Sequence, residues 1–150
     1  MSRAFVKETS ESAPPPERMV SEGPNPVTEE GFARIAREVA RLEAALRAET
    51  NVLLRETLAR DLRYWNDAKA RAEIVPKPEG AAVAFGSRVT LNRNGKTQTF
   101  RIVGEDEADP KLGLLSWRAP LAQAVMGAEA GDIVEMASPK SEIEIVRVEN

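Results

Sequence analysis

The sequence predicts an α+β protein: an N-terminal antiparallel helical hairpin (coiled coil), then a small antiparallel β domain with one short helix. Three observations predict it. Apolar residues recur at three- and four-residue steps between Phe32 and Ala72. Pro76, Pro78 and Gly80 then interrupt the helical pattern. Beyond them, alternating runs flank Asn94-Gly95, a dipeptide that readily takes the positive φ angles a two-residue hairpin turn needs.

Residues 1–26 hold Pro14, Pro15, Pro16, Pro24 and Pro26 among Ser, Glu and Gly, with too few large apolar side chains to offset the entropy of ordering. A flexible arm is expected there: a dispensable tail, which such a composition favours, or a docking peptide. The hairpin is expected over 27–75. Thr28 can cap its first helix, Glu29 and Glu30 suit the positive end of the helix dipole, and Phe32, Ile35, Val39, Leu42 and Leu46 form an apolar seam. Leu54, Leu58, Leu62, Trp65 and Ala72 form a second seam. Glu49-Thr50-Asn51 separates two arms of about 20 residues, roughly 30 Å each. Two seams cannot stay buried on one isolated straight helix, so the arms should fold together. One continuous helix pairing with a second chain is the competing reading.

A linker, 76–81, leads to a domain over 82–150 that differs in kind. Val83, Phe85, Val89 and Leu91 run into Asn94-Gly95, after which Phe100 and Ile102 alternate with Thr99 and Arg101. A β-hairpin over 82–104 follows from that pattern. Leu112, Leu114, Leu115 and Trp117 predict a third strand, with Trp117 read as core rather than contact. Pro120 suits the first turn of a short helix carrying Leu121, Ala124 and Val125, and Gly127 suits its end. Ile133, Val134 and Met136, then Ile143, Ile145, Val146 and Val148 across Ser138-Pro139-Lys140, predict a second β-hairpin.

The 150 residues include neither cysteine nor histidine, which excludes disulfides, thiolate sites, a hydrolase triad and a zinc centre. No cofactor or metal is expected. A net charge of -3 gives no global attraction to phosphate backbones, so a protein partner fits better than free duplex nucleic acid. No run of about 20 apolar residues occurs, and a cytoplasmic monomer without membrane contact is expected.

A helical hairpin joined by a short linker to a small β-rich domain resembles the GreA/GreB transcription elongation factor family. Phe85-Gly86-Ser87-Arg88-Val89 looks like the first C-terminal strand of that family. Arg101-Ile102-Val103-Gly104-Glu105-Asp106-Glu107-Ala108-Asp109 follows its R-I-V-G-x-D-E-A-D segment almost residue for residue. Leu115-Ser116-Trp117, Pro120-Leu121-Ala122, Ala124 and Gly131-Asp132 follow its I-S…S-P-x-A-x-A-L…G-D pattern in order and spacing. The resemblance covers residues 27–150 and is strongest beyond Phe85. It implies an FKBP-like C-terminal domain docked on RNA polymerase at the rim of the secondary channel, with the coiled coil entering the channel. Indirect contact with RNA or DNA of the elongation complex would follow. In members of the family that stimulate cleavage, an acidic pair in a G-D-x-x-E-N-A-E-Y stretch at the hairpin tip helps hold a magnesium ion in the active site of the polymerase, and the chemistry belongs to the polymerase.

Several departures shape the functional expectation. No G-D-x-x-E-N-A-E-Y stretch lies between Thr28 and Pro76. The residues nearest the expected tip are Arg47, Glu49, Thr50, Asn51, Arg55 and Glu56. The hairpin is roughly 25 residues shorter than expected of a cleavage factor, which removes nearly 20 Å of reach at about 1.5 Å per residue. Members with short coiled coils, including regulators of nucleoside diphosphate kinase that resemble Gre factors, offer a closer parallel. The residues expected to touch the polymerase are Arg118, Ala119, Pro120 and Leu121. Where the family commonly has an acid or amide and then a serine, Arg118 and Ala119 reverse the charge and remove a helix cap. The resemblance therefore implies a non-enzymatic regulator of the secondary channel without cleavage stimulation. Three alternatives stand beside it: cleavage through Glu49, Glu56 or Asp61, an FKBP-like isomerase or chaperone, and a dimerising hairpin adaptor.

Overall fold

The computed structural model describes residues 13–137 and 139–150, which fall into two compact units. The first comprises the described residues up to Gly23 together with Ala33–Arg71. Helices α1 (Glu29–Ala48) and α2 (Val52–Arg71) form the expected helical hairpin on a three-residue connection. The seam on α1 is buried at Ile35, Val39 and Leu42. On α2 it is shallower: Ala68 is buried, Leu58, Leu62 and Trp65 are half-buried, and Leu54 is exposed. Ala72, expected in that seam, lies beyond the end of α2.

In the described part of the segment expected to be an arm, 1–26, three contacts reach helix α2. Arg18 lies over the Tyr64 ring, 3.9 Å from its centroid, Glu17 pairs with Arg63, and Arg71 Nη1 donates to Gly23 O at 3.2 Å. Counting apolar residues misses such contacts, which are made by cations, a ring and a carbonyl. Residues 1–12 lie outside the described residues.

The second unit comprises Pro24–Phe32 and Ala72–Asn150. Strand β1 (Asn25–Val27) pairs in parallel with β2 (Ala72–Ile74), from Asn25↔Ala72 to Val27↔Ile74. Residues 25–26 therefore form strand where an arm was expected, and the hairpin segment is flanked by strands. Its main element is a sheet of order β5-β4-β3-β7-β6, built from β3 (Arg88–Arg93), β4 (Lys96–Val103), β5 (Leu114–Ser116), β6 (Ile133–Ala137) and β7 (Lys140–Glu149). Asn94 and Gly95 make the predicted turn with φ of 55° and 76°, and Arg93 faces Lys96 across it.

Within the five-stranded sheet one pairing departs from the antiparallel expectation: β5 runs parallel to β4, with Arg101 opposite Leu114. Two 3₁₀ turns, Glu105–Glu107 and Pro110–Leu112, carry the chain back before β5 begins, and Gly113 closes the second at φ 70°. Leu112, expected in the third strand, sits in that turn, largely exposed. Helix α3 (Pro120–Val125) starts on Pro120 as expected and buries Ala122 and Val125 against Val89, Leu91, Ile102, Ile143 and Ile145 of the sheet core. Along β3 and β7 the buried residues alternate with half-buried or exposed ones, the period-2 pattern of a sheet with one wet face.

Candidate functional site

Of the six hairpin-tip residues singled out from the sequence, Glu49, Asn51 and Arg55 turn polar groups onto the backbone. Glu49 Oε1 accepts the N–H groups of Thr50 and Asn51, each at 3.0 Å. Asn51 Oδ1 accepts the N–H of Leu54 at 3.1 Å, the capping bond for the start of α2. Arg55 Nη1 donates to Leu46 O at 2.5 Å and Glu49 O at 2.7 Å, which occupies carbonyls that the end of α1 leaves unpaired. Outward, the tip presents Val52 (69% exposed), Leu53 and Leu54. A shallow cavity of about 340 Å³ lies beside them, lined by Leu46, Val52, Arg55, Glu56 and Ala59. Glu56 Oε2 is shielded there and accepts no hydrogen bond from the described residues.

The second group, Arg118 to Leu121, follows β5. Arg118 pairs with Glu105 at 3.4 Å and lies over the Trp117 ring at 4.7 Å. Its reversed charge is thus matched from within the acidic turn that precedes it. Ala119 occupies the cap position of α3 without a side-chain bond, and its carbonyl accepts the Gln123 N–H at 3.0 Å. Ala119 and Leu121 pack against the core, as does Trp117, while Pro120 is exposed.

Nothing in the local pattern around Glu107 marks it as buried. In a run of three acidic residues it reads as a solvated charge, yet it is 7% exposed. Its carboxylate accepts the Thr28 N–H at 3.1 Å, the Thr28 hydroxyl and the Gly104 N–H at 3.0 Å. Thr28 in turn accepts the Gly31 N–H on Oγ1 at 3.0 Å, the predicted cap of α1. A carboxylate among N–H groups at the start of a helix is favoured by the helix dipole as well as by its bonds. Glycine is required at 31 for space: a Cβ there would stand 2.1 Å from Glu107 Cδ. The acidic motif therefore fixes the first turn of α1 through contacts 79 residues apart in sequence.

Nearby, Glu30, Lys77, Arg88, Arg101 and Glu149 line a polar cavity of about 340 Å³ in the same unit. Each arginine faces a carboxylate at 3.9 Å, Arg101 with Glu30 and Arg88 with Glu149. Its own backbone N–H holds the Glu30 carboxyl below the ordinary range, helped by Arg101, Thr28 and Lys77 and opposed by partial burial.

Comparison with known proteins adds the following. A family model, transcription elongation factor GreA/GreB, C-terminal part, matches residues 77–150. The transcription elongation factor GreA of Hyphomonas neptunium is 45% identical over an alignment of 78 residues that covers 49% of this chain and 50% of that protein. At this level of identity the chain spans about half the length of the curated relatives it matches. The GreA factor of Legionella pneumophila (strain Corby) is 32% identical over 153 residues, covering 83% of this chain and 96% of that protein. Among solved structures, GreA factor homolog 1 of Thermus thermophilus is 19% identical, covers 85% of this chain and 100% of that one, and superposes with a TM-score of 0.41. No helix among the described residues is long and apolar enough to cross a membrane.

Proposed function

Because the chain belongs to the GreA/GreB family of transcription elongation factors, we propose that it binds RNA polymerase at the rim of the secondary channel and regulates elongation there without stimulating transcript cleavage. The observation that carries this reading is the hairpin tip. Holding a hard cation takes two or more carboxylates converging on it with free oxygens. Glu49 instead turns one carboxylate oxygen onto the N–H groups of Thr50 and Asn51, Glu56 lines a cavity with Leu46, Val52, Arg55 and Ala59, and Val52, Leu53 and Leu54 form the outward surface. Asp61, the third candidate acid, pairs with Arg60 at 2.9 Å and Arg18 at 3.5 Å. These carboxylates do not fit a metal-holding role at the tip, and an apolar contact with the partner fits better.

Hairpin length supports the same reading. The 153 aligned positions of the Legionella factor take up 83% of these 150 residues, about 125, so about 28 positions of the relative have no counterpart here. If they fall in the two arms, each arm is shorter by about 14 residues, or roughly 20 Å. Docking is assigned to Arg118, Ala119, Pro120 and Leu121, where the chain enters α3, with Pro120 as the exposed point. On this reading the protein has no catalytic group of its own, and any chemistry is that of the polymerase.

The test is transcript cleavage in a backtracked elongation complex, with the protein titrated alone and then against a fixed amount of an authentic cleavage factor. The expected outcome is no cleavage alone and progressive loss of the factor's activity in the mixture. Cleavage by this protein that disappears when Glu49, Glu56 and Asp61 are changed together to alanine would return it to the cleavage factors. No effect in either arm well above micromolar concentration would remove the polymerase reading.

A further inference from the structure

We propose that residues 17–23 form a strap that must leave helix α2 before the hairpin can enter a narrow channel, so that the strap gates partner binding; this rests on the polymerase reading above. The strap is held at both ends. At one, the Arg18 guanidinium lies 3.9 Å from the Tyr64 ring centroid and 5.8 Å from that of Trp65, and reaches Asp61 at 3.5 Å. Glu17 beside it pairs with Arg63, whose guanidinium hydrogen bond lowers the Glu17 carboxyl below its ordinary value. At the other, Gly23 O accepts Arg71 Nη1 at 3.2 Å. Between them Met19 stands in solvent, 94% exposed.

These contacts suit reversible attachment. Exposed ion pairs are weak and screened by salt. Asp61 keeps Arg60 at 2.9 Å when Arg18 leaves, so release orphans no buried charge. A tethered segment also rebinds without waiting for a second molecule. Each helix is about 10–12 Å across with its side chains. A third layer on α2 widens the hairpin at Tyr64 and Trp65, and a partner that closes around two helices selects the open form. Apparent affinity then falls by the fraction of molecules that are open.

The full chain, which has no cysteine, allows a direct test. A spin label on Met19→Cys should broaden the Trp65 indole N–H signal, and Arg18→Glu or high salt should abolish that broadening. Arg18→Glu should at the same time raise affinity for core RNA polymerase about tenfold, the factor expected where about one molecule in ten is open. Absence of broadening in the wild-type background, or release of the strap with affinity unchanged or lower, overturns the gate. If the label reports docking and release but neither protein binds polymerase, the polymerase reading fails and the gate falls with it, while attachment of the strap stands.

Discussion

Val89, Leu91, Ile102, Ile143 and Ile145 of the β-rich unit are wholly shielded from water, whereas α2 of the hairpin unit buries Ala68 and leaves Val52, Leu53 and Leu54 in solvent. The sheet core closes by contacts among distant strands, and each buried side chain there supports several others. The hairpin closes along one seam, with polar groups at its tip and a strap on its flank. Helices such as these two, of 20 residues each, draw most of their stability from packing of one face. The hairpin should therefore open at lower free energy than the sheet, and this is also the region that lies outside the match to the family model, residues 77–150. Surfaces that must move or adapt come from the less stable part of a fold.

Three substitutions sharpen that contrast. Ile102→Ala empties a fully buried position and should cost about 3–4 kcal/mol, read as a lower denaturant midpoint for the β-rich unit. A loss under about 1 kcal/mol would mean that the sheet core collapses onto the gap. Gly31→Ala should cost about 2–3 kcal/mol, because its Cβ displaces a carboxylate that satisfies three donors. Amide exchange should then accelerate at Gly31 and Phe32, in the first turn of α1, more than in β3. Arg55→Ala removes two bonds to the carbonyls ending α1 and should cost about 1 kcal/mol. Its effect should appear as faster exchange at Glu49 and Leu54 with the β strands unchanged. Equal acceleration in both units would break the comparison, since it would make them one cooperative whole.

Much of the fold was legible where the signal is local. Asn94-Gly95 marks its own turn, Pro120 its own helix start, and the α1 seam its buried face, because each depends on residues a few positions apart. Strands β1 and β2 carried no such signal: each has three residues, and their pairing joins Asn25 to Ala72. The parallel β5 was hidden by the 3₁₀ turns before it, which absorb Leu112. At the candidate site, sequence order brought the tip residues together but not the direction of Glu49, since a carboxylate can face solvent or its own backbone with the same neighbours. Glu107 escaped because its role depends on Thr28 and on the missing side chain of Gly31. The Arg118 and Glu105 pair escaped for a similar reason: a reversal of charge read in isolation conceals its nearby counterion.

Helix α1 begins in one unit and continues into the other, with its first turn fixed by Glu107, Thr28 and Gly31. A helix whose first turn is fixed can be lengthened at its far end without disturbing that turn. Residues added in equal number to both arms beside the tip would extend reach by about 1.5 Å each, while steps of about seven keep the seam facing its partner. Hairpin length thereby becomes an adjustable quantity, separable from the contacts that fix the first turn, and it can change while the β-rich unit stays as it was.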